Sequence, residues 1–91
     1  MKIVLNKCYG GFSISDECAE KICVNKYDTS EEVRTNLALI TAVLENPRLA
    51  SGMFSALRVV TIPDEATDYE IDEYDGHERI TYVLDGKLHH I

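Results

Sequence analysis

Apolar and polar positions alternate along this chain with two different periods, and the change of period sets out its elements. Ile3, Val4 and Leu5 form a continuous apolar run, which predicts a strand over residues 2–6 covered on both faces. Ile14, Cys18 and Ile22 then recur every fourth residue, with Ala19 and Cys23 beside them, the stripe of a helix. Ser13 or Ser15 is placed to cap it, Asp16 and Glu17 suit its first turn, and Asn25 suits its end. A polar connection over residues 26–30 follows. Val33, Leu37, Ile40, Val43 and Leu44 keep helical spacing up to Pro47, with Ser30 and Asn36 as competing start signals. Leu49 to Gly52 reads as a short helical turn closed by glycine.

The period then falls to two. Ala56 to Ile62 is apolar and predicts a second strand that ends at Pro63. Asp68 to Tyr74 alternates, with Tyr69 and Ile71 on one side and Glu70 and Asp72 on the other, as a half-exposed strand does. Asp75-Gly76 and Asp85-Gly86 are hairpin signals that separate it from strands over His77–Leu84 and Lys87–Ile91. The expected fold class is α+β: a single domain over residues 1–91, a two-layer sandwich in the order β-α-α-β-β-β-β. Its mixed sheet would hold the first two strands parallel through a right-handed crossover and end in an antiparallel meander.

Composition adds a charge map. The net charge is −7, and residues 1–63 are neutral, with seven acidic and seven basic side chains. Residues 64–91 hold nine acids against two bases, so the imbalance belongs entirely to the C-terminal strands. Such a face repels bare nucleic acid and anionic membrane. It suits a basic protein, or serves only as a solvated hairpin. Glu70, Asp72, Glu73, Asp75 and Glu78 are the candidate protein-binding residues. Three of these acids, Asp72, Asp75 and Glu78, fit no calcium-loop spacing, and no metal or cofactor is implied.

The three cysteines, Cys8, Cys18 and Cys23, form no C-x-x-C pair and suggest a reducing compartment. Cys18 and Cys23 are expected as small core residues. Cys8 would need a histidine base to act as a nucleophile, and His77, His89 and His90 all lie in the C-terminal strands. No apolar run reaches the length of a signal-peptide core or a membrane span, so a cytoplasmic location is expected.

The stretch that carries candidate chemistry is Lys7-Cys8-Tyr9-Gly10-Gly11-Phe12-Ser13, between the first strand and the first helix. Paired glycines let a ligand approach the backbone, and amides at the start of a helix favour an anion. Asn6 to Ser13 is thus the candidate ligand loop. Lys7 would supply charge, Gly10 and Gly11 backbone donors, and Tyr9 or Phe12 a stacking surface, with Arg34 as a second cation. Neither nucleotide-binding glycine motif is met, and a plain strand-to-helix turn with inward aromatics is the competing expectation.

The opening residues Lys2 to Ser13, the triplet Arg34-Thr35-Asn36, Ile62-Pro63-Asp64 and Tyr69 to Glu78 together span most of the chain. They resemble a family of small uncharacterised proteins of tailed bacteriophages and prophages. Relatives tend to end in a basic, aromatic tail, whereas this chain ends Lys87-Leu88-His89-His90-Ile91. The resemblance implies a phage context, hence the host cytoplasm, and an accessory role against host defence, but supplies no reaction and no catalytic residue. The leading expectation is a non-enzymatic protein that sequesters a small phosphate-bearing ligand such as a nucleotide immune signal, helped by homo-oligomerisation. The alternative is an acidic, DNA-mimicking inhibitor of a basic host nuclease or effector. A small enzyme using Cys8 comes third.

Overall fold

The computed structural model describes residues 1–91. The chain runs β1 (Lys2–Asn6), α1 (Asp16–Ile22), α2 (Glu31–Arg34), α3 (Leu37–Glu45), α4 (Pro47–Ala50), β2 (Leu57–Thr61), β3 (Asp68–Tyr74), β4 (His77–Leu84) and β5 (Lys87–His90). The α+β class is as expected. Each helix start is set by a polar side chain. Ser15 accepts from the Cys18 amide, Ser30 from Val33, Asn36 from Ala38 and Leu39, and Asn46 from Leu49. Ser30 and Asn36, which compete in the sequence, each cap a helix, so the predicted second helix is two. Pro47 opens α4 at a position where its missing N–H has no role.

The sheet differs from expectation. β1 and β2 are antiparallel, from Lys2 opposite Thr61 to Asn6 opposite Leu57. The helical excursion leaves the end of β1 and returns to that same end, where the Lys7 amide donates to the Ala56 carbonyl at 2.9 Å. A parallel pair would need the chain to return at the other end. The expected mixed sheet is therefore two antiparallel sheets, one of β1 and β2 and one in the order β3-β4-β5. Apolar spacing carries no strand direction.

The layering changes with it. Val4 and Leu57 pack with Ile14, Leu39, Ile40 and Val43 from the helical side. Ile3 and Leu5, on the opposite face of β1, pack with Ile62 and Ile80 and with the half-buried Tyr69, Ile71 and Tyr82 of the second sheet. β1–β2 is thus the middle of three layers, which corrects the expected two. Burial and the neighbouring Glu31 carboxylate push the Tyr69 phenol up to about 12. Cys18 joins the helical core, whereas Cys23 is exposed in a left-handed cap at the end of α1, which ends before Asn25.

Candidate functional site

The segment after β1 is held between two partners. On one side lies the β3–β4 turn: a Cβ on Gly76 would sit 2.1 Å from the Gly11 nitrogen, and Gly76 has φ +89°. On the other side, a Cβ on Gly10 would lie 2.0 Å from the Phe54 carbonyl oxygen. The two glycines thus allow close backbone packing on both flanks.

Beneath this loop runs a buried polar seam. Arg34 donates to Glu78 through both terminal nitrogens, at 2.8 and 2.6 Å, and also to the carbonyls of Val4 and Thr29. Its guanidinium stacks 4.3 Å from the centre of the Phe12 ring. Glu78 also accepts from the Asn6 amide at 2.7 Å. The Asn6 side chain donates to the carbonyls of Cys8 and Gly76 and accepts from the Ala56 amide. Arg34 and Glu78 are about 5% exposed and Asn6 not at all, so every one of these groups needs its partner.

Several expected roles are corrected by this arrangement. Arg34 is no free second cation, because its charge is consumed by Glu78. Glu78 is no part of an outward acidic face. Asn6 is a structural bridge. Lys7 donates to the Glu78 carbonyl at 2.7 Å, and burial pushes its ammonium below the ordinary lysine value, opposed by Glu78 and helped by Arg79. Tyr9 turns away to pack on Tyr74 and His77, at centroid distances of 6.5 and 5.4 Å. The Cys8 thiol points to the Asn6 side chain and the Phe54 carbonyl, not to a histidine. Asp72, Asp75 and Glu78 are not brought together. Glu70, Asp72, Glu73 and Asp75 are exposed, as anticipated for an acidic face.

Gly10, Gly11, Phe12 and Ser13 keep a different position. They form one wall of a cleft of about 470 Å³, faced by Gly52, Met53 and Phe54, with Asp16, Lys26 and Tyr27 at its edge. That volume falls within the range of small-molecule sites. No backbone amide from Cys8 to Ser13 donates to any acceptor within the protein. The Gly10 and Gly11 nitrogens lie against Gly76, on the flank away from Phe54, and the Phe12 and Ser13 amides are likewise without an acceptor in the protein. Lys26 lies 2.7 Å from Asp16 and 5.2 Å from the centre of the Tyr27 ring, and the hydrogen bond to Asp16 holds its ammonium above the ordinary lysine value. The loop does not open directly into a helix, because Ile14 bridges to Ser51 and α1 begins only after its Ser15 cap. Lys26, Tyr27, Met53 and Phe54 were not anticipated. They follow β1 by many residues, and long-range hydrogen bonds, from the Ile14 amide to the Lys26 carbonyl and from the Gly52 amide to the Ser13 carbonyl, draw their segments alongside the glycines.

Comparison with protein-family models, with curated proteins and with solved structures finds no match to this chain. The resemblance to phage proteins rests on the sequence motifs alone. No helix is long and apolar enough to cross a membrane.

Proposed function

We propose that this protein is a non-enzymatic binder of a small, phosphate-bearing ligand, held in the cleft beside the glycine loop. The observation that carries this reading is the cleft of about 470 Å³ walled by a glycine loop whose backbone amides have no acceptor within the protein. Successive backbone N–H groups make a concavity suited to an anion's oxygens. The exposed rings of Tyr27 and Phe54 offer stacking faces for a base. Lys26 replaces Lys7 and Arg34 as the cation, and reaches a phosphate by leaving Asp16. The proposed setting is phage counter-defence, in which the protein sequesters a nucleotide signal. That setting is supported by the motif resemblance.

A thermal-shift screen against mononucleotides, cyclic dinucleotides and ADP-ribose derivatives tests the reading. A ligand at a hundredfold excess over Kd stabilises the native state by about 2.7 kcal/mol, which moves the midpoint of so small a domain by several degrees. The shift should vanish in Lys26→Ala and Tyr27→Ala, whose side chains serve no core. The proposal fails if no phosphate-bearing compound moves the midpoint, or if those variants respond like the parent.

A further inference from the structure

The C-terminal sheet has an uncovered edge. Its order is β3-β4-β5, and no element other than β4 runs beside β3. The two-residue turn Asp75-Gly76 makes Tyr74 and His77 a hydrogen-bonded pair, and every second residue back along β3 repeats that pattern. Ile71 and Glu73 therefore aim their N–H and C=O groups away from β4, along a strand of seven residues. An edge of this kind is a template for another strand.

The side chains on that edge restrict what can be added. Asp68, Glu70 and Asp72 are exposed on one face, about 7 Å apart by the strand repeat. None of the three takes part in an ion pair. Between them, on the other face, Tyr69 and Ile71 are only half-buried. A second copy of β3 would set carboxylate against carboxylate across the new seam, so self-pairing is opposed. A strand with cations at every second position and apolar side chains between them would match both faces.

We propose that β3 is a docking edge for an extended basic segment of a partner protein, added as a fourth strand. Its lysines or arginines would lie beside Asp68, Glu70 and Asp72, and its apolar residues would cover Tyr69 and Ile71. Main-chain hydrogen bonds would hold the segment and the alternating side chains would select it. This is independent of the glycine-loop cleft, which draws on no residue of β3.

The test uses the full chain and a capped Lys-Val-Lys-Val-Lys peptide, read by amide hydrogen exchange. At saturation the Ile71 and Glu73 amides should exchange at about a tenth of their free rate or slower, since they gain acceptors. A Glu-Val-Glu-Val-Glu peptide should leave them unchanged. The lysine peptide N-methylated at its valines, whose amides would face β3, keeps its charge but should lose binding. Glu70→Lys combined with Asp72→Lys should weaken binding about tenfold or more. Both side chains are exposed, so the fold tolerates the change. Equal binding by the N-methylated peptide would mean charge attraction without strand addition and would overturn the proposal. So would equal binding by the acidic peptide, or unaltered exchange at Ile71 and Glu73.

Discussion

Glu70 and Glu78 carry the same group on the same hairpin and meet opposite fates. Glu70 faces solvent with no partner, whereas Glu78 is sealed beneath the glycine loop, with Arg34 on both oxygens and the Asn6 amide on one. Strand register accounts for the difference. Glu70 shares its face with Asp68 and Asp72; Glu78 shares its face with Ile80 and Tyr82, which look into the core. A carboxylate on the inner face must be neutralised by a fixed partner, and that partner then ties α2 to the second sheet. A carboxylate on the outer face carries no such structural duty, and its charge is free for something outside the molecule. Burial thus separates acids that hold the fold from acids open to a partner.

The sharpest break in that comparison is Arg34→Met. It leaves the Glu78 carboxylate buried and uncompensated, and should cost about 3–5 kcal/mol. That is a large share of the roughly 5–15 kcal/mol typical of a folded domain. Urea unfolding should show a collapsed midpoint or no folded baseline, and the double variant Arg34→Met with Glu78→Leu should recover much of the loss. A smaller break is Gly76→Ala, which strains the positive φ and drives a methyl into the Gly11 backbone. It should cost about 1–3 kcal/mol in the same assay. At the other extreme, Glu70→Gln should shift stability by no more than about 0.5 kcal/mol, as surface changes do. A loss there as large as that of Gly76→Ala would show that the outer acids also hold the fold.

Much of the fold was legible in the sequence because its signals are local. Ser15, Ser30, Asn36, Pro47 and the two Asp-Gly turns each act within a few residues, and each marks an element boundary in the structure. Strand direction was not legible, since Leu57 to Ile62 has the same apolar pattern whether it runs parallel or antiparallel to β1. The seam was half legible. Glu78 precedes Ile80 and Tyr82 at a spacing of two, so the alternation already puts a carboxylate on the apolar face, and such a group demands a cation. Which cation answers it could not be read, because Arg34 lies far back in the chain on a helix of a single turn. The glycine loop shows the same limit. Gly10 and Gly11 announce close approach, but not whether a ligand or the chain itself does the approaching. Here the chain itself does so, with Gly76 on one flank and Phe54 on the other.

The placement of β1 also governs the order in which the molecule can assemble. Ile3, Val4 and Leu5 are fully buried, yet none of their strand partners precedes Leu57. The long loop must close before β1 gains its ladder, an entropic toll that slows folding relative to a helical bundle of equal length. The helices and the C-terminal hairpins can form from near neighbours, but the strand between them waits for both. A nascent chain therefore carries this apolar segment unpaired until Leu57 to Thr61 follow, and without Glu78 Arg34 lacks the carboxylate that neutralises it. An apolar strand left without its ladder is open to aggregation until β2 arrives.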